Sequence, residues 1–322
     1  MRIKKFVISN IILSIILITT LYGFSWGYIN YVNDITVKFM EYNKLPNNSV
    51  DIVTIGSSHG KFGIKLDKKN QMNLALEQQN FYYGLKLLEK YEAKIKKGAI
   101  VILPMSIFSF HEEIDLSKNE TYKNYINLLD KKNIRKDLKD SEYILIKNFS
   151  IIYPPERIIN FFNWVKECIK QQHIKKNNLF YKDKKINKNI LEKNAPLTVR
   201  GHLGDKEKIK IETGSLEKIF QIAKKNKWKV FYTIVPNTEY YNLELENIEE
   251  NVIDNHIYNN IKKAENKEKV WYKMLDYSKD KRFVNKIEYF MDETHLNEKG
   301  AEYFTKILLN DIEKEIKNER EI

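Results

Sequence analysis

Ser57 and Ser58 close the apolar run Asp51-Ile52-Val53-Thr54-Ile55-Gly56, and far along the chain Asp292 and His295 stand three positions apart. A serine hydroxyl is a poor nucleophile by itself. With a histidine to take its proton and a carboxylate to steady the imidazole, it can attack an acyl carbon. An apolar, β-branched run that stops at Gly-Ser-Ser has the pattern of a buried strand ending in a tight turn, and such a turn can present a hydroxyl. Acyl transfer is the chemistry open to these residue types, provided that folding brings the two ends of the chain together. Each part is weak alone: Gly-Ser-Ser is a common turn, and a single histidine before a helix is more often a surface or capping residue than a base. Gly56-Ser57-Ser58-His59-Gly60-Lys61 is superficially like a phosphate loop, but it has one residue too few between the glycines, and Phe62 follows the lysine where Ser or Thr is required. Asp292 and His295 could ligate a metal only with a third ligand that the sequence does not display.

Several elements must position these groups. The run from Asp51 predicts a first strand, the apolar residues 98–104 a second, 229–236 a third and 270–275 a fourth. Met72-Asn73-Leu74-Ala75-Leu76 is a further short apolar piece. Helical spacing recurs over 81–95, from Leu216 to Ala223 with Thr213 as a candidate cap, over part of 243–263, and after Asn297 through Ala301, Phe304, Ile307, Leu308 and Ile312. Strands that are apolar without relief, alternating with helices, imply a parallel sheet covered on both faces. In such sheets ligands bind at the carboxyl ends of the strands, which is where the Ser-Ser turn falls.

The 322 residues are 43% hydrophobic, enough for a sizeable core. The 55 Lys+Arg exceed the 43 Asp+Glu by +12, which suits an anionic partner. The charge is spread out and carries no zinc-finger spacing or aromatic-basic RNA signature, so nucleic acid is not expected. The single cysteine, Cys168, permits no internal disulfide and reads as an inert thiol among apolar neighbours. His111, His173, His202 and His256 read as surface or structural residues, and the glycine-bearing stretch Arg200-Gly201-His202-Leu203-Gly204-Asp205 as a loop that either reaches the site or is a turn, the turn being preferred.

Residues 1–5 form a basic flank, and 6–29 follow without a charged side chain. That length suffices to cross the hydrocarbon. The positive flank places the N-terminus in the cytoplasm and the rest outside, and Trp26, Tyr28 and Tyr31 suit the membrane interface. A cleaved signal would have a shorter apolar core followed by small residues, so a retained transmembrane anchor is expected. Residues 30–50 read as a tether and 51–322 as one domain, interrupted at about 115–197 by a polar, lysine-rich, partly helical insertion that is either a cap carrying a substrate-recognition surface or a solvated excursion without contact to substrate.

Ile55-Gly56-Ser57-Ser58-His59 resembles the first block of the SGNH (GDSL-like) hydrolases, with Ser57 where an aspartate usually stands. Asp292-Glu293-Thr294-His295-Leu296-Asn297 resembles their last block. The resemblance covers the two ends of the domain. It implies a three-layer α/β/α fold with a parallel, flavodoxin-like sheet, no cofactor, Ser58 as nucleophile, His295 as base and Asp292 as orienting acid. That family draws its oxyanion donors from the serine amide, a glycine and an asparagine. Here Asn73-Leu74-Ala75 has no glycine, and Met105-Ser106-Ile107 stands where the asparagine is usual, so the amide of Ser58 and the Ser106 hydroxyl become the donor candidates, with Asn73 and His59 as further residues of the oxyanion and substrate-binding group. With the anchor, the chain is similar to membrane-anchored SGNH-like proteins of bacterial envelope acylation, the D-alanyl transfer proteins of teichoic acid modification and the alginate O-acetylation proteins among them. The function this implies is an esterase or O-acyltransferase acting on a cell-envelope polymer or acylated glycan beside a membrane-bound acyltransferase. The competing expectation is a non-catalytic module that binds glycan or scaffolds such an acyltransferase.

Overall fold

The computed structural model describes residues 2–110, 122–135, 138–149, 159, 162–163, 165–166, 186–203, 213–248, 251, 253–268 and 270–320. Cys168, His111, His173, Gly204, Asp205 and most of the helix expected over 155–172 lie outside the described residues. The chain divides into two compact units, Met1–Lys44 with Glu120–Asn177, and Leu45–Asn119 with Asn178–Ile322.

In the first unit, α1 (Arg2–Gly27) is long and apolar enough to cross a membrane, and the side chains along its apolar stretch are exposed. It runs through a π-helical turn, Tyr28–Val32, towards α2 (Asp34–Lys44). Asn33 separates the two, its carboxamide oxygen accepting from the amide of Thr36 at 3.0 Å. The stretch expected as a plain tether is therefore largely helical. The asparagine starts a new helix by satisfying one of the amides that a first turn leaves bare. The other described helices of this unit are α5 (Tyr122–Ile126), which buries Tyr125 and Ile126, and α6 (Asp140–Asn148), which buries nothing.

The second unit holds a five-stranded sheet, parallel throughout: β1 (Val50–Thr54), β2 (Gln71–Asn73), β3 (Ile95–Met105), β4 (Lys229–Ile234) and β5 (Tyr272–Asp276), in the order β2-β1-β3-β4-β5. The central strands are buried where both faces of the sheet are covered, from Val101 to Met105 in β3 and from Val230 to Ile234 in β4, while Lys96 and Lys97 at the start of β3 are not. On one face Ile102 and Phe231 pack against Phe304, Leu308 and Ile312 of α11 (Glu298–Arg320). On the other, Tyr232 meets the ring of Phe220 in α8 (Gly214–Asn226), which packs beside α4 (Phe81–Tyr91) and α10 (Asn259–Glu268). Thr213 does not cap α8 with its side chain; its hydroxyl turns to Glu217 instead. Of the other described helices in this unit, α7 (Lys188–Leu203) and α9 (Glu239–Ile248) pack together over Ile107, Val199, Leu203, Tyr241 and Leu245. Residues 188–197, expected within the insertion, thus belong to the α/β unit, and residues 200–203, expected as a turn, are the last turn of a helix. Val199 and Leu203 are four apart and both buried, so tertiary packing extends the helix past Gly201.

Strand order changes direction at β1, with β2 to one side and β3, β4 and β5 to the other. The crevice at such a switch point, beyond the carboxyl ends of the strands, is where open parallel sheets bind ligands. The segments that leave β1 and β3 there begin at Ile55 and Ser106.

Candidate active site

Gly56 turns the chain out of β1 at φ +144°, a conformation that side-chain-bearing residues rarely adopt, and a Cβ there would come within 3.2 Å of the Pro104 carbonyl oxygen. Its amide donates to the Gln79 side chain at 2.8 Å, and Gln79 donates to the carbonyl of Leu74 at 3.0 Å. This clamp sets where the next two serines point. The Ser57 hydroxyl is buried and finds no partner among the described residues, while that of Ser58, the first residue of the short helix α3 (Ser58–Gly63), lies 2.7 Å from Nε2 of His295. Of the two serines, only Ser58 meets the base.

His295 and Asp292 sit on a loop pinned at several points. Phe290 and Leu296 form an antiparallel bridge, and the amide of Met291 donates to the carbonyl of His295 at 2.9 Å. Thr238 donates its amide and its hydroxyl to the carbonyl of Glu293. Asn297 closes the loop: its carboxamide donates to the carbonyls of Glu288 and Phe290, and its oxygen accepts from the amide of Gly300, capping α11. Within the loop, the Asp292 carboxylate lies 2.8 Å from Nδ1 of His295 and accepts from the amides of Thr294 at 2.9 Å and His295 at 2.8 Å. A carboxylate only accepts, so Nδ1 carries the proton and Nε2 is left to receive the proton of Ser58. Burial by itself would raise the Asp292 carboxyl. The hydrogen bond and charge of His295, with the two amides, outweigh it and hold the carboxyl at about 2.

His59 stacks on the His295 ring with centroids 4.9 Å apart and planes at 27°, and its Nδ1 is 2.9 Å from the Ser106 hydroxyl. It is 5% exposed. Burial, with the neighbouring His295 and His202, pushes its pKa well below the ordinary histidine value, so it is neutral beside the base. His59 and Ser106, expected near the reacting atoms, are thus one ring away from them. They also line a small cavity walled by Met105, Ile107, Val235 and Ile257, with no carboxylate and no Lys or Arg among the described residues that line it.

Asn73 is a correction. Both hydrogens of its carboxamide are committed, to the carbonyls of Gly60 at 2.9 Å and Ile64 at 2.7 Å, and its oxygen accepts from the amide of Ala75 at 3.0 Å. It ties α3 to the end of β2 and offers no donor to an oxyanion. The amide of Ser58 stands at the first position of α3, where no acceptor exists within the helix.

Other residues come to the site that the sequence reading did not place there. His202, from the end of α7, lies 6.4 Å from the ring of His59, packs on Phe108 at 4.6 Å, and shares a 2.8 Å hydrogen bond with the Tyr241 hydroxyl. One turn earlier on the same helix, the Thr198 hydroxyl donates to the buried Glu293 carboxylate at 3.3 Å. The i, i+4 spacing of Thr198 and His202 puts them on one face of α7 and was visible in the sequence. That this face lies over the triad was not. His256 is half-buried in the π-helical turn Asp254–Tyr258. Among the described residues, no group of three or more His, Cys, Asp or Glu is placed to hold a metal ion.

Asp292, His295 and Ser58 form one hydrogen-bonded line at the switch point of a parallel α/β sheet, an arrangement able to move a proton and expose an alkoxide to an acyl carbon. No protein-family model matches the chain, and no curated protein matches it.

Proposed function

We propose that this protein is a membrane-anchored serine esterase or O-acyltransferase of SGNH type, with a three-layer, flavodoxin-like domain. It would act outside the cytoplasm on an acyl ester of a cell-envelope polymer or glycan. The observation that carries the reading is the unbroken line from the Asp292 carboxylate through His295 to the Ser58 hydroxyl, at 2.8 and 2.7 Å. The strand order and the helices on both faces support the fold assignment, α1 supports the anchor, and the +12 charge suits an anionic polymer.

Ser58 Oγ attacks the ester carbonyl as its proton passes to Nε2 of His295, and Asp292 steadies the imidazolium. The amide of Ser58 donates to the oxyanion. Collapse breaks the ester bond, and His295 returns the proton to the departing alkoxide, leaving the acyl group on Ser58. A second hydroxyl, from water or from the polymer, gives its proton to His295 and takes the acyl group, which restores Ser58. A membrane-bound acyltransferase would load the donor, and no cofactor is needed for these steps.

A fluorophosphonate probe tests the chemistry. Labelling of Ser58 in the wild type, abolished in Ser58→Ala and reduced by about a thousandfold or more in His295→Ala, is the expected result. Folded wild-type protein that takes no label would instead favour a binding or scaffolding module. The polymer assignment is read separately, from ester content of envelope polymers in cells carrying wild type or His295→Ala. Equal content would remove it.

A further inference from the structure

Residues 120–177, the larger part of the expected insertion, share a compact unit with the N-terminal helix. Two ring pairs mark the contact: Tyr22 with Phe149 at 6.3 Å, and Phe24 with Phe162 at 5.9 Å. The apolar side chains around them are not covered. Ile144 is 54% exposed, Leu145 58%, Ile159 61% and Phe162 53%. A soluble protein seldom leaves such residues clustered and bare.

Depth settles what faces them. Tyr22 and Phe24 lie five to seven residues before the end of the uncharged stretch at Ile29, about 8–11 Å along a helix rising 1.5 Å per residue. If α1 spans the bilayer, as the proposed function holds, Phe149 and Phe162 meet it below its distal end. That level matches the roughly 5–10 Å to which interfacial helices bury their apolar faces. In α6 the apolar stretch Tyr143-Ile144-Leu145-Ile146 lies between two polar ends, Asp140-Ser141-Glu142 and Lys147-Asn148. A short helix of this make-up can lie in an interface with Ile144 and Leu145 turned to the acyl boundary and its polar ends to the headgroups. Lys139, Lys147 and Lys166 are exposed near the same apolar group, where their stems can run along it and their ammonium groups reach anionic headgroups.

We infer that the apolar stretch of α6, with Ile159 and Phe162, is a second membrane contact that inserts into the headgroup–acyl boundary of an anionic bilayer beside α1. The inference rests on α1 being a spanning helix and is independent of the chemistry at Ser58. One anchor fixes a domain to a membrane but leaves it free to tilt and swivel. A second contact beside it constrains the first unit about the anchor axis.

The test uses the full chain with Cys168→Ser, reconstituted in vesicles of phosphatidylethanolamine and phosphatidylglycerol. Single cysteines at Leu145→Cys and Ile159→Cys carry a polarity-sensitive fluorophore. Ile15→Cys reports on the anchor and Lys224→Cys, on an exposed face of α8, on water. Shallow nitroxide lipids should quench the labels at 145 and 159 at least about fivefold more than the one at 224, with iodide quenching reduced to match. Iodide quenching at 145 and 159 equal to that at 224 overturns the inference, as does protection from both quenchers, which would mean that protein covers the patch. A label at 15 that lipid fails to quench would instead overturn the anchor. Unmodified wild type reacted with a diazirine lipid gives a second readout: cross-links within 140–149 and 159–166 are expected, and cross-links confined to α1 count against the inference.

Discussion

On the proposed mechanism an imidazolium forms on His295 each time Ser58 gives up its proton, and the ring stacked 4.9 Å away is that of His59. A second cation there would oppose the first, so the neutrality that burial, first of all, imposes on His59 serves the base as well as the packing. That neutrality has a cost in acid. An unfolded histidine takes a proton near pH 6.5, and the folded His59 does not follow until lower pH. The contribution of His59 to stability is therefore complete above about 6.5 and is lost as the pH falls below it, by up to about 1.4 kcal/mol per pH unit. The wild-type melting midpoint should decline from about pH 7.5 to about pH 5 more steeply than that of His59→Phe, and parallel curves would contradict this assignment. Asp292 acts in a different window: its carboxyl is held at about 2, so its contribution is present above the unfolded value near 4 and is lost as the pH falls through 2.

The loop carrying Asp292 and His295 is only as well placed as the start of α11. Asn297 caps that helix and ties the loop to Glu288 and Phe290, and a Cβ on Gly300 would lie 2.2 Å from the carbonyl oxygen of Tyr289. Asn297→Ala should cost about 1–2 kcal/mol as a lost cap alone. Gly300→Ala must push the backbone of the loop aside, so it should lower the melting midpoint and also slow probe labelling of Ser58. A lowered midpoint with unchanged labelling would mean that the helix start and the triad are mechanically independent. The same logic accounts for α7, whose buried Val199 and Leu203 hold a face carrying Thr198 and His202 over the site.

For the whole molecule, the division into two units separates attachment from chemistry. Every residue assigned a chemical role lies in the unit built on the sheet, and the apolar helix lies in the other. Full-length protein should stay with membranes through an alkaline carbonate wash, and a chain lacking residues 2–29 should be released by it. Release of the full-length chain would show that α1 does not span the bilayer.

Strands, the apolar first helix and the residue types of the triad could be read from the sequence because each is a local matter: unbroken β-branched runs, an uncharged stretch of spanning length, a glycine before two serines, a histidine before a helix. Local pattern carries no information about which distant group a side chain will meet. Ser58 and His295 are 237 positions apart, and only the strand order brings them within 2.7 Å. The same holds for Asn73, which resembles a donor in sequence yet gives both its hydrogens to backbone carbonyls, and for His202, which looked like part of a turn. It holds also for residues 120–177 of the lysine-rich excursion, which share a unit with the apolar first helix, where Phe149 and Phe162 find aromatic partners. The sequence by itself determined the elements and the chemistry they could carry. The tertiary structure decided which hydroxyl meets the base, which donors are already spent and which apolar face stays open, because hydrogen bonds and burial are settled by approach in space rather than by order along the chain.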